Sequence, residues 1–152
     1  MKTILSLILA LPLVAADVQN TSKVYSTARR PRALALIGDR YHSAVLMRDG
    51  LAPAMARENV PITFIEEVTA LDAASLRDHQ LLIIARNGRY WPNGYDKPEA
   101  KWMTDAQQKA IWDFVNNGGS FLALHNAHTA FPPDGLYYKL FGGDFEIGRA
   151  HV

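Results

Sequence analysis

Cysteine is absent from all 152 residues of the chain. Its absence excludes a thiolate nucleophile, a zinc ion held by cysteine, an iron–sulfur cluster and any disulfide. A core of this size does not need disulfides to fold. Any chemistry must therefore come from other side chains, and we expect no cofactor.

An excess of charge of either sign is also lacking. Sixteen Lys and Arg residues stand against fifteen Asp and Glu residues, which gives a formal net charge of +1. The short basic cluster at Arg29–Arg32 precedes the first predicted strand and is typical of a solvated lead-in. We therefore expect no nucleic-acid partner.

No apolar run is long enough to cross a membrane. The run Ile4–Val14 follows the basic start Met1-Lys2 and leads into the small residues Val14–Ala16. This pattern predicts a signal peptide over residues 1–16, with cleavage after Ala16. The mature protein would then be secreted, extracellular or periplasmic, without a membrane anchor. The alternative is an uncleaved anchor helix.

After a polar, flexible lead-in at residues 17–31, short apolar strands alternate with helical segments. Because strands in such an alternation pair in parallel and are covered by helices, the pattern predicts a three-layer α/β sandwich with a mostly parallel sheet. Gly50 and Pro53 predict that the first helix is kinked or split. The predicted strands are Ala33–Ile37, Ile62–Ile65, Gln80–Ala85 and Ser120–Leu124, of which we expect the first, third and fourth to be buried. The predicted helices are Ser43–Glu58, Thr69–Asp78 and Thr104–Asn117.

The third helix has clear boundary signals. Thr104 and Gln107 form the pattern of a capping box, in which each side chain bonds the other's backbone amide. Gly118 suits the position just past the helix end. The Arg86–Met103 segment before it is a long loop rich in aromatic residues, a kind of loop that is often functional.

Ligands of parallel sheets bind beyond the carboxyl ends of the strands. This rule selects three turns: Gly38–His42, Arg86–Tyr95 and His125–Phe131. In the third turn a glycine pair and a short strand lead into a tight turn, as in the nucleophile elbow of α/β hydrolases. The tip carries His125 in place of serine or cysteine, which excludes a glutamine amidotransferase and argues against a serine hydrolase.

Three segments together resemble the ThuA-like (trehalose-utilisation) family. Gly118–Ala127 is similar to the motif Gly-Gly-x-Phe-x-Gly-Leu-His-x-Ala, with Ala123 where the motif has glycine. Tyr137–Phe145 is similar to Tyr-x-x-Leu-x-Gly-Gly-x-Phe, and Arg40–His42 is similar to the family's Tyr-Arg-His turn with two residues exchanged. The resemblance implies a class I glutamine amidotransferase-like, flavodoxin-like sandwich without the amidotransferase triad, and a link to sugar utilisation.

The resemblance covers residues 32–145 and implies an incomplete, C-terminally truncated domain. The family's His-Pro after the last motif is missing. Residues 146–152 can be back-translated to a nucleotide sequence that closely resembles a sequencing-library adapter, so we interpret them as an artefact. The alternative is a genuine C-terminus.

Histidines dominate the candidate catalytic residues. His125 and His42 could act as general acid and base. His125 could instead bond backbone and hold the turn. A metal held by these two and His128 is a weaker hypothesis, because no carboxylate clearly completes the set, and we predict no metal site.

Polar and aromatic residues of the same turns could bind a sugar. Aromatic rings stack on sugar faces, and arginine binds hydroxyl or carboxylate groups. Asn126 could orient a substrate hydroxyl or merely suit left-handed turn geometry, and the loop residues could simply pack. The candidate binding residues are Asn126, His128, Arg40, Tyr41, Arg86, Tyr90 and Trp91.

These features favour a small-molecule carbohydrate ligand and His-based proton transfer on a sugar or keto-sugar, although catalysis itself is left open. The alternatives are a non-catalytic carbohydrate-binding module and a protein-interaction module. The sequence does not indicate an oligomeric state.

Overall fold

A computed structural model describes residues 30–142, except positions 95, 98, 99, 130, 132 and 133. The predicted signal peptide, most of the lead-in and the adapter-like tail lie outside the described residues. The elements in chain order are β1 (Ala33–Ile37), α1 (Ala44–Arg57), β2 (Ile62–Ile65), a 3-10 turn (Val68–Ala70), α2 (Ala73–Leu76), β3 (Leu81–Ala85), α3 (Asp105–Asn116), β4 (Ser120–Ala123) and α4 (Leu136–Phe141).

The four strands form one parallel sheet in the order β2-β1-β3-β4. Helices cover both faces, so the predicted three-layer α/β sandwich with a parallel sheet is confirmed. β1 lies in the middle and is buried along its whole length. Parallel strands buried on both faces are expected to be continuously apolar, as β1 and β3 are.

Alternate residues of β1 feed two separate cores. Leu34 and Leu36 pack with Leu82, Ile84 and the side chains of α2, α3 and α4. Ala33, Ala35 and Ile37 pack with Ile83, Ala85 and the side chains of α1. Fully burying a leucine or isoleucine contributes about 1.5–3 kcal/mol, so these two cores hold the sheet between its helical layers.

β4 is less buried than the sequence predicts. Its residues alternate between exposed and half-buried, and Leu122 keeps 39% of its surface exposed. The expectation of a fourth buried strand is wrong, because β4 is the edge strand of the described sheet. On the α1 side the helix packs over β1 and β2, which leaves Leu122 uncovered.

The helical predictions hold in part. α1 runs as one helix through Gly50 and Pro53, so it is not split. The predicted Thr69–Asp78 helix is instead a 3-10 turn followed by the single-turn α2. α4 was not foreseen. Among the described residues no helix is long and apolar enough to cross a membrane.

The capping box of α3 is confirmed, and it also joins two elements. The amide of Gln107 donates to Thr104 Oγ1 at 3.3 Å, and the amide of Thr104 donates to Gln107 Oε1 at 2.9 Å. The buried Gln107 side chain also donates from Nε2 to the carbonyls of Val68 and Leu71. Gly118 follows the helix with φ of +93°, as predicted.

The turn after β1 depends on Gly38. Its φ is +87°, and an added Cβ would lie 3.2 Å from the Cβ of Ala44. A side chain is therefore disfavoured both by backbone conformation and by the approach of α1. This glycine allows β1 to end in a turn that aims the next residue, Asp39, back over the sheet edge.

We predict that Gly38→Ala lowers the free energy of unfolding by about 1–3 kcal/mol, because the left-handed backbone and the Ala44 contact both oppose a methyl group. Gly50→Ala is the matched control. Gly50 is helical and has open space around its Cα, so alanine there should stabilise by about 0.5–1 kcal/mol. Urea unfolding of both variants measures the difference. Equal effects at the two positions would contradict this account of the turn.

Candidate functional site

The three turns selected by the strand-end rule meet at the carboxylate of Asp39. Asp39 is only 4% exposed and accepts five hydrogen bonds. Its Oδ1 accepts from the amides of Tyr41 (2.8 Å) and His42 (2.9 Å) and from His42 Nδ1 (3.0 Å). Its Oδ2 accepts from the amide of Asn87 (3.0 Å) and from Asn126 Nδ2 (2.9 Å). One side chain thus ties together the turns after β1, β3 and β4.

The hydrogen bonds keep Asp39 ionised. Burial alone would raise its pKa, but the bonds from the Asn126 side chain and from the amides of Asn87, Tyr41 and His42 outweigh burial and place the pKa below its ordinary value. An ionised carboxylate accepts hydrogen bonds and donates none. Every group that forms a hydrogen bond with the Asp39 carboxylate must therefore be the donor.

This requirement sets the tautomer of His42. Because Asp39 Oδ1 accepts, the proton of a neutral His42 ring lies on Nδ1, and Nε2 carries the free lone pair. The His42 side chain keeps 19% of its surface exposed. Its Nε2 is thus prepared to accept a proton, while Asp39 fixes the orientation of the ring.

His125 lies against His42. The two ring centroids are 4.8 Å apart, with the ring planes at 60°. His125 is exposed and has φ of +52°, in the left-handed region that residues other than glycine rarely adopt. In the described part of the chain its ring shows this contact and no hydrogen bond to backbone, contrary to the alternative in which the ring holds the turn.

Asn126 connects the elbow to Asp39. Its Nδ2 donates to Asp39, whereas its buried Oδ1 has no hydrogen-bond partner among the described residues. The interpretation that Asn126 serves left-handed turn geometry is wrong, since that conformation falls on His125 instead.

A cavity of about 520 Å³ opens beside Asp39. Its walls include four of the predicted binding residues, Arg40, Tyr41, Arg86 and Trp91. This volume falls in the range of small-molecule sites. Another cavity, of about 500 Å³, lies near His79 and Gly119, at the opposite edge of the sheet from the strand ends.

Two predicted residues lie elsewhere. Tyr90 lines a smaller depression with Trp102 and Gln107. The ring of His128 lies 6.2 Å from that of Phe141 on α4, on the side of the sheet covered by α3 and α4. The structure thus brings His42, His125 and Asn126 together around Asp39 and places His128 against α4. No group of three side chains able to hold a metal occurs in the described ranges.

Sequence reasoning missed Asp39 and Asn87. Asp39 directly follows a strand-end glycine, which is the position where a ligand-binding turn begins. That signal was available, but the partner Asn126 lies 87 residues away and only the fold brings it near. Asn87 contributes a backbone amide, which no sequence pattern reveals.

A solved structure described as a ThuA-like protein, from Bacteroides uniformis, is similar to this chain. The TM-score is 0.50, with 18% sequence identity over 78% of this chain and 46% of the other. The chain has a ThuA-like fold. It spans about half the length of that neighbour. No family model and no curated protein matches the chain.

Within the ThuA-like fold, the Gly118–Ala127 segment forms the turn after α3, the edge strand β4 and the turn that carries His125. Arg40–His42 forms the turn after β1. Two segments on which the resemblance was based therefore supply His42 and His125. The last residues of the third, from Gly143 to Phe145, lie outside the described residues.

We predict that Asp39→Asn lowers the free energy of unfolding by at least about 2 kcal/mol near pH 7, because the new amide group would face N–H donors. The carboxylate's contribution is complete above its unfolded pKa of about 3.8 and is lost as the pH falls through the lower folded pKa. The gap between wild type and variant should therefore shrink below about pH 4.

Urea unfolding at a series of pH values from 7 to 2 measures this gap. Asp49→Asn, on the exposed part of α1, is the control and should change stability by less than about 0.5 kcal/mol. A wild-type to Asp39→Asn difference that stays constant with pH would contradict the assignment of an ionised, hydrogen-bonded Asp39.

The backbone of His125 gives a separate prediction. Asparagine tolerates the left-handed conformation, whereas valine does not. His125→Asn should match wild-type stability to within about 0.5 kcal/mol, and His125→Val should lose about 1–2 kcal/mol. Thermal unfolding measures both variants. Equal stability of the two would show that this turn carries no backbone strain.

Proposed function

We propose that this protein is exported and serves the utilisation of trehalose or a related sugar, by proton transfer between the side chains of His42 and His125 and a sugar or keto-sugar that carries a carbonyl. The observation that carries the proposal is the contact between an Asp39-oriented His42 and the strained, exposed His125 at the strand ends. Perturbed and strained groups gathered at one edge are typical of functional sites.

His42 is the general base. His42 Nδ1 donates to Asp39 Oδ1 at 3.0 Å, and the carboxylate stabilises the imidazolium that forms when Nε2 accepts a second proton. His125 is the general acid. With ring centroids 4.8 Å apart, the two imidazoles reach neighbouring atoms of one substrate, and imidazole exchanges protons near neutral pH.

The reaction is an isomerisation at a carbonyl of a sugar. His42 Nε2 takes the proton from the carbon beside the carbonyl while protonated His125 gives its proton to the carbonyl oxygen, which yields an enediol. In the second half His125 removes the proton of the neighbouring hydroxyl, and His42 returns its proton to the former carbonyl carbon. Both histidines end in their starting states, and no oxidant or co-reactant is consumed.

The ligand class is supported by two further observations. The motif resemblance implies a family linked to sugar utilisation, and the ThuA-like fold is compatible with that resemblance. The exposed rings of Tyr41 and Trp91 line the neighbouring cavity, as aromatic rings do in sugar sites. The apolar segment Ile4–Val14 supports export. The histidine at the elbow tip argues against the acyl-transfer chemistry that serine or cysteine performs there.

The proposal is tested by incubating the protein in deuterium oxide with D-fructose and with a glucoside in which one ring hydroxyl is oxidised to a ketone. The wild-type chain should exchange the hydrogen beside the carbonyl for deuterium, as followed by proton NMR. His42→Asn keeps a donor toward Asp39 but removes the base, and His125→Asn removes the acid. Each should slow exchange by about 100-fold or more, as expected for loss of a general acid or base.

His79→Asn is the matched control. His79 bonds the carbonyl of Ser75 at 2.7 Å on the opposite edge of the sheet, so its variant should exchange at the wild-type rate. Sugar binding by a wild type that shows no exchange would overturn the catalytic assignment and leave a binding module. Unchanged exchange in both active-site variants would equally refute the assigned roles.

A further inference from the structure

Arg86 is a buried cation with spare hydrogen-bonding capacity. Only 2% of the residue is exposed, and its Nη1 donates to the carbonyl of Glu66 at 2.9 Å. Its Nε has no hydrogen-bond partner among the described residues. A buried guanidinium is costly unless its donors are used, so this side chain indicates a ligand.

The cavity beside Asp39 is where such a ligand would lie. Arg86 lines this cavity together with Glu66 and Glu67 from the carboxyl end of β2. Glu66 is paired with Arg48 at 2.8 Å. Burial lowers the pKa of Arg86, and the negative charges of Asp39 and Glu67 partly oppose that effect. The exposed rings of Tyr41 and Trp91 complete the rim.

The charges of the cavity favour a neutral ligand. The residues that line it supply two guanidinium groups, of Arg40 and Arg86, and three carboxylates, of Asp39, Glu66 and Glu67. Arg40 also lies 3.9 Å from the carboxylate of Asp96, outside the cavity. An anionic ligand would meet the carboxylates, and a cationic one would meet the guanidinium groups, each at a cost. A hydroxyl both donates and accepts, so a polyhydroxylated ring can satisfy arginine donors and carboxylate acceptors at once.

We propose that this cavity binds a neutral sugar ring. Arg86 donates hydrogen bonds to the sugar hydroxyls, Glu67 accepts hydrogen bonds from them, and the rings of Tyr41 and Trp91 cover one face of the sugar. The inference rests on the proposed carbohydrate function. It adds a specificity, since the cavity should bind neutral sugars more tightly than sugar acids. Asp39 lines the cavity and also accepts a hydrogen bond from His42, whereas His42 and His125 are not among the residues that line the cavity. Asp39 is therefore the residue that the proposed sugar pocket shares with the histidine site.

Calorimetric titration with glucose, trehalose and glucuronate tests the proposal. The wild-type chain should bind a neutral sugar at least about 10-fold more tightly than glucuronate. Glu67→Gln removes a charged acceptor from an exposed side chain that makes no capping hydrogen bond to the turn it precedes. It should weaken neutral-sugar binding by about 10-fold and narrow the preference over glucuronate. Glu58→Gln, at the far end of α1, is the matched control and should bind like wild type.

Arg86→Lys is a second test, since lysine keeps the positive charge but lacks Nε and the planar set of guanidinium donors. It should weaken neutral-sugar binding as Glu67→Gln does, with folding checked by circular dichroism. Tighter binding of glucuronate than of glucose or trehalose, or identical affinities in wild type and Glu67→Gln, would overturn the proposal. Failure to bind any of these sugars would do the same.

The same variants separate this inference from the proposed reaction. His42→Asn and His125→Asn should lose deuterium exchange but keep neutral-sugar affinity to within about twofold. Glu67→Gln should instead raise the KM for exchange about 10-fold and leave kcat unchanged. Exchange that is unaffected by Glu67→Gln refutes the sugar pocket alone, and Glu67-dependent binding without exchange refutes the reaction alone.

Discussion

The carboxylate of Asp39 is the interaction on which the rest of the site depends. It is buried, ionised and surrounded by five donors that come from the turns after β1, β3 and β4. Burial opposes its charge, and the hydrogen bonds more than offset that cost. The Gly38 turn is needed to aim it, and the parallel sheet is needed to bring the partners to one edge. Without this anion the three turns would have no common anchor.

Local signals predicted much of the fold. The apolar run of β1, the Thr104–Gln107 box and Gly118 each rest on physics within a few residues, and each holds in the structure. The exposure of β4 could not be predicted, because a short apolar run is the same whether its strand lies in the middle or at the edge of a sheet. The buried Gln107 was foreseen as a cap only; its bonds to Val68 and Leu71 span more than 35 residues.

The candidate site, like the fold, was predicted from the sequence only in part. The strand-end rule selected three turns that meet at Asp39, and the fold brings together three of the residues selected in them, His42, His125 and Asn126. It also named His128 and Tyr90, whose side chains lie elsewhere, because the rule selects a segment and not a direction. The organising residue, Asp39, was missed because its significance lies in donors from distant turns. A buried carboxylate, two histidines and an adjacent cavity lined by charges of both signs form the site for which we propose proton transfer on a sugar.

The tautomer of His42 tests the central claim most directly. Long-range proton–nitrogen NMR of the imidazole rings distinguishes a protonated Nδ1 from a protonated Nε2. At a pH where the ring is neutral, we predict that His42 carries its proton on Nδ1 and that Asp39→Asn removes this preference. A proton on Nε2, or the same tautomer with and without the Asp39 carboxylate, would contradict the claim that Asp39 organises the site.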